Sequence, residues 1–223
     1  MAVSAPASPP DPGAVRARNR RGEGGRLRAD ILAAATDLLD ETGEEGAVTL
    51  RAVARRVGIA APSIYPHFAD RQAILLAIVQ QAFEELRQQL ASAAGEGSDP
   101  VERLRAVCSA YLGFAATRPQ RYRVVFGGVW NAAEALQGTA ITEAEAASLG
   151  QEALEVFVSA VQECVSAGRS ASTDPFADAV AVWVALHGLA HQRAVAPYFP
   201  WPEGIADRLV DRLARLLPGA GVG

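Results

Sequence analysis

Between residues 49 and 68 the chain reads TLRAVARRVGIAAPSIYPHF, and its side chains are of the kind that grip a polyanion. Ser63, Tyr65 and His67 supply hydroxyls and an imidazole, which can donate to phosphate oxygens and to base edges. Arg51, Arg55, Arg56 and Arg71 surround them, opposed by Asp70 alone. A solvated basic face on an ordinary helical hairpin would carry the same residues, so spacing by itself leaves both readings open. Other chemistries find less support. No G-x-S-x-G, G-x-G-x-x-G or P-loop pattern appears in the body that follows, so neither an enzyme nor a cofactor is expected. His187 and His191 stand four apart, the spacing of two metal ligands on one helix face, but no third ligand is near. They read as hydrogen-bonded core or interface histidines, and no metal is expected. Cys108 and Cys164 form neither a CxxC pair nor a disulfide framework.

Helices must position the 49–68 donors. Thr49 is placed to cap a short helix with Leu50, Val53, Ala54 and Val57 on one face, and Gly58 to end it. A second short helix begins near Ala61, with Pro62 in its first turn where a missing N–H costs nothing. Ile64 and Phe68 form its apolar side, leaving Ser63, Tyr65 and His67 to face elsewhere. Pro66 is expected to tighten its last turn. Upstream, Leu27, Ile31, Ala34, Ala35, Leu38 and Leu39 repeat at helical spacing towards Gly43. Downstream, Asp70 caps a long helix carrying Ile74, Ile78, Ala82, Leu86 and Leu90. Helical periods continue from Asp99-Pro100, from Pro119, over 149–164, from Asp174-Pro175 and from Ile205 to Leu216. Residues 129–146 carry the weakest pattern and read as loop that can hold a helical turn. No segment alternates with the period of a half-buried strand, so an all-α chain of about nine helices is expected.

Charge is unevenly distributed along the 223 residues, whose formal net charge is −4. All 21 basic residues are arginine. Residues 14–28 hold six arginines against Glu23, whereas residues 72–223 are acidic on balance. Such asymmetry suits a basic end that meets a polyanion and an acidic body with another task. The proline-rich start and the Arg/Gly run after it offer no apolar face, so 1–26 is expected to be a disordered arm. The arginines of 16–28 either solubilise the chain or reach an adjacent groove or phosphates. No secretory h-region is present, and no apolar run approaches the roughly 18 residues of a membrane span. A cytoplasmic protein without a membrane partner is expected.

The 49–71 segment resembles the tetracycline-repressor (TetR) family, and the resemblance extends over about 27–90. It is carried by Thr49, Leu50, Val53, Ala54, Gly58, Ile59, Tyr65, His67, Phe68 and Arg71, with Tyr-x-His-Phe its most specific part. The resemblance implies a three-helix DNA-binding domain over 27–72 and a helical effector-binding and dimerisation domain over 73–223. It further implies that Thr49, Arg51, Tyr65, His67 and Arg71 contact phosphate, and that Ala60, Ala61, Ser63 and Tyr65 lie where base edges are read. Arg71 stands where the family often has lysine, which exchanges a point charge for forked bonding. Ala60 replaces a frequent Ser or Thr cap, so the recognition segment should start less rigidly. Further on, RPQRYRVVF at 118–126 and VWVALHGLA at 182–190 are similar to a subgroup with a Trp-His-Gly signature, here Trp183, His187 and Gly188. Gly188 reads as a packing residue that lets another helix approach.

Tyr111, Phe114, Phe126, Trp130, Phe157 and Trp183 would be core in most helical domains. The family's effector cavity makes them, with His187, candidate pocket residues. The function implied is a homodimeric repressor on a palindromic double-stranded DNA operator, released by a small-molecule effector of unknown identity. The dimer is expected from helices near 147–168 and 174–196. Two rivals are an architectural DNA-binding protein without an effector and a helical small-molecule-binding protein that no longer binds DNA.

Overall fold

The computed structural model describes residues 23–127 and 141–218. The elements are α1 (Glu23–Thr42), α2 (Leu50–Val57), α3 (Arg71–Ala94), α4 (Pro100–Thr117), α5 (Pro119–Phe126), α6 (Glu143–Ser148), α7 (Gln151–Ser166), α8 (Pro175–Val195) and α9 (Ile205–Leu213). Short 3-10 turns stand at Glu45–Ala47 and Ala61–Ile64. The fold is all-α, and among the described residues the only β pairing is an isolated antiparallel bridge between Ser170 and Leu216.

Side-chain capping sets most starts. The side chains of Thr49, Asp70, Asp99 and Asp174 each accept a backbone N–H from the first turn of α2, α3, α4 and α8. Pro100, Pro119 and Pro175 occupy first-turn positions, where a backbone N–H has no intrahelical partner.

Two apolar cores lie along α3, whose 24 residues extend about 36 Å. Its first turns, from Ile74 to Val79, pack with Ile31, Ala35, Val53, Ile64 and Phe68. Its later turns, at Leu86 and Leu90, pack with Leu104, Tyr111, Phe157, Val161 and Leu186. One helix therefore runs from the 49–68 segment into the larger core. A second connection is α5, where Val124 belongs to the smaller core and Tyr122 to the larger one.

Two expectations need correction. The recognition segment is a 3-10 turn that continues into an irregular turn, not an α-helix. Pro66 has no N–H to give the carbonyl of Pro62, and its ring would crowd that oxygen, so the α ladder cannot close. The N–H groups of His67 and Phe68 instead both converge on the Ile64 carbonyl, at 2.8 and 3.0 Å. At the other extreme, α1 starts at Glu23 rather than Leu27, which takes Arg26 onto the helix and shortens the arm. A first helical turn needs no apolar face, so periodicity could not see it. The span 129–146, read as loop that can hold a helical turn, carries one at its end, where α6 begins at Glu143 and runs on to Ser148. Thr142 and Glu145 make a reciprocal capping box there.

Candidate functional site: a basic helix-turn-helix face and an aromatic pocket

The turn between α2 and the recognition segment rests on Gly58, whose φ of 76° is left-handed and whose N–H caps the carbonyls of Ala54 and Arg55. Ile64 and Phe68 are buried beneath the segment, and Tyr65 is 57% exposed. Ser63 is exposed and His67 half-buried, so the anchored and free sides separate as the sequence predicts. Ala60 gives no side-chain cap. It is exposed, and Ala61 is half-buried, so both can offer only methyl contact to a base.

The surrounding arginines do different jobs. Arg51 and Arg55 are exposed and have no ion-pair partner among the described residues. Arg56 is held by Glu41 through a forked pair, which lowers the Glu41 carboxyl pKa through that hydrogen bond. Arg71 turns back on the protein. Its Nε–H donates to the Val48 carbonyl at 2.9 Å and Nη2 to the Glu45 carbonyl at 2.6 Å. It thereby ties the start of α3 to the backbone just ahead of α2, and it retains free Nη1 donors for a phosphate. Thr49 Oγ1 accepts the Ala52 N–H at 3.1 Å, leaving its hydroxyl hydrogen available. Arg28, read in the sequence as one of the arm arginines, has its guanidinium over the Phe68 ring at 4.7 Å and adds a cation beside the Tyr65–His67 turn. The other arm arginines, up to Arg21, lie outside the described residues.

The larger core borders a partly open cavity of about 610 Å³. Tyr111, Phe126, Phe157 and Trp183 line it, together with Phe83, Phe176, Leu86, Gly150, Gln151 and Glu155. Phe114 does not. It is fully buried core, with the Arg118 guanidinium 5.7 Å from its ring centroid. Trp130 lies outside the described residues. His187 sits behind the lining rather than in it, with its ring 5.0 Å from Phe126 and 6.3 Å from Trp183. Burial pushes the His187 pKa down, with His191 adding to the shift, and a neutral imidazole can accept a hydrogen bond at Nδ1. The Tyr122 hydroxyl stands 2.6 Å from that nitrogen, and Tyr111 is 3.4 Å from both groups. Burial raises both phenol pKa values, so the cluster is an uncharged wall behind the cavity.

Tyr122 and Gly150 were not anticipated as site residues. Gly150 combines a φ of +80° with a close approach to Phe83, where an added Cβ would stand 2.6 Å from the ring. Gly188, expected to make room for a helix, faces open space within the protomer. Cys108 and Cys164 are buried, and desolvation pushes their thiols up to about 12 and about 11. No group of three metal-ligating residues occurs among the described residues. No described helix is long and apolar enough to cross a membrane.

Comparison with known proteins agrees with this arrangement. Residues 31–78 match the model for bacterial regulatory proteins of the tetR family, and residues 104–217 match the tetracyclin repressor-like C-terminal domain. The HTH-type transcriptional activator FasR of Mycolicibacterium smegmatis is 28% identical over 153 residues, covering 66% of this chain and 64% of that protein. A protein of unknown function from Rhodococcus sp. RHA1 superposes with a TM-score of 0.67 at 25% identity, covering 88% of this chain and 95% of that one. SmeT, the repressor of the Stenotrophomonas maltophilia multidrug efflux pump SmeDEF, has a TM-score of 0.61 at 22% identity, covering 86% and 91%.

Proposed function

Because the chain belongs to the TetR family of bacterial regulatory proteins, we propose that it is a cytoplasmic, homodimeric repressor released from a palindromic operator by a small-molecule effector. The observation that carries this reading is continuity. One helix, α3, begins beside the exposed Arg51, Tyr65 and Ser63 face and ends in the wall of the aromatic cavity.

Each protomer would offer its 61–68 turn to a major groove, with Thr49, Arg51, Tyr65, His67 and Arg71 on phosphates to fix the register. Ala60, Ala61 and Ser63 would approach base edges. The dimer would pack α7 and α8 against their symmetry mates as a four-helix bundle. On α8, Val184 and Val195 are exposed and Gly188 has open space, which suits close approach of a second helix.

The effector would act by population shift, favouring a spacing of the two reading heads that misfits the operator, and only through its differential affinity for the two spacings. Besides α3, α5 can transmit the change. Tyr122 and Phe126 face His187 and the cavity, while Arg121 spans Asp40 on α1 at 3.2 Å and Glu85 on α3 at 3.7 Å.

FasR is named an activator, which favours a second reading in which DNA-bound protein recruits rather than blocks transcription. Fluorescence anisotropy on the protein's own upstream DNA and on a scrambled duplex tests the proposal. A repressor of this design prefers the upstream fragment and is dissociated by effector. An effector that tightens binding assigns co-repression or activation. Equal affinity for both duplexes, in the face of a genomic fragment selection that yields no preferred site, assigns an architectural role.

A further inference from the structure

The cavity has an unusual charge balance. Six aromatic rings line it, from Phe83 and Tyr111 to Phe176 and Trp183, and Glu155 is the only charged side chain among the described lining residues. Glu155 is exposed, at the solvent side, and has no ion-pair partner among the described residues. The two arginines that share a surface groove with Glu155 are engaged elsewhere, Arg87 by Glu84 and Glu152 and Arg103 by Glu163. One positive element does face the cavity, the N-terminus of α7, where Gly150 provides no side-chain cap. Its first two turns already carry Glu152 and Glu155, so that partial charge is met from within the helix.

An anionic ligand here would meet the Glu155 carboxylate and the negative faces of the rings with no free lining cation to offset them. A cation gains twice, from the carboxylate and from the faces of the surrounding rings. Resting on the effector-pocket reading above, we propose that the pocket takes an aromatic amphiphile bearing a positive charge, with its rings among Tyr111, Phe126 and Trp183 and its charge at Glu155.

Calorimetric titration of the full chain with three matched probes tests this: naphthylmethyl-trimethylammonium, naphthylmethanol and naphthylacetate. The cation should bind most tightly and the carboxylate most weakly. Glu155→Gln should weaken the cation about fivefold, the scale of one partly solvated charge contact, and leave the alcohol unchanged. Phe176→Ala, at a lining ring that is 59% exposed in the single protomer, should weaken all three probes, with an unchanged thermal midpoint confirming that the variant is folded. Tighter binding of naphthylacetate, or a cation affinity unmoved by Glu155→Gln, overturns the charge assignment while the pocket stands. Failure of every probe to bind, or indifference of all three to Phe176→Ala, overturns the pocket reading itself and this inference with it.

Discussion

Replacing Arg51 by alanine separates free arginines on the DNA face from neutralised ones. Arg51 is exposed and unpaired among the described residues, so a phosphate can take its charge directly. Each phosphate neutralised contributes about 0.9 to the slope of log affinity against log salt, and a dimer places two copies on the operator. Arg51→Ala should therefore flatten the slope by about 1.8. Between 50 and 200 mM salt, the wild type should then lose roughly tenfold more affinity than the variant. The neutralised counterpart is the pair Arg56–Glu41, whose charges already cancel. The double change Arg56→Gln with Glu41→Gln keeps the net charge and should leave the slope within error of wild type. Anisotropy with a labelled operator duplex over that salt range reads both. An unchanged slope in Arg51→Ala, or an equal drop in the double variant, refutes the assignment of the free charge.

Tyr65→Ala should weaken binding to operator and random duplex by a similar factor, because phosphate contacts carry no sequence information, and a competition assay distinguishes this from loss at one base position. Gly150→Ala combines left-handed strain with a clash against Phe83, so chemical denaturation should show a loss of about 2–4 kcal/mol. Gly58→Ala has the left-handed φ but open space, and should cost only about 1–2 kcal/mol. His187 has a folded pKa below its ordinary value, so the unfolded chain binds the proton first. Its contribution is complete above about pH 6.5 and is lost as pH falls through the folded pKa, and His187→Gln should flatten that part of a stability-versus-pH curve.

Much of the reading head was legible because caps and turns are local. Thr49, Gly58 and Asp70 act through their own backbone neighbours, and each does what its position in the sequence implies. The 3-10 form of the recognition segment is not visible in Pro62 or Pro66 taken alone. Together, four residues apart, they remove a donor and crowd its acceptor. Arg56 and Arg71 showed why charge alone is a poor guide, since Glu41 lies 15 residues away and the Glu45 and Val48 carbonyls more than 20. The pocket was legible as a set of aromatics but not as a shape. Phe114 and Phe157 look alike in sequence, and only the packing of α4 against α7 and α8 makes one core and the other wall. Glu155 and Gly150 gave no periodic signal at all, because a cavity's rim is defined by elements that meet in space.

The most direct measurement is a selection of genomic fragments on the purified full-length protein, followed by competition of the recovered fragment against random duplex at physiological salt. A sequence-specific regulator should return a fragment with two-fold-related half-sites that is held on the order of 10³-fold or more above random DNA. Recovery of no preferred fragment, or equal competition by random duplex, would contradict the claim that the helix-turn-helix face, with Ala60, Ala61 and Ser63 at the bases, reads sequence.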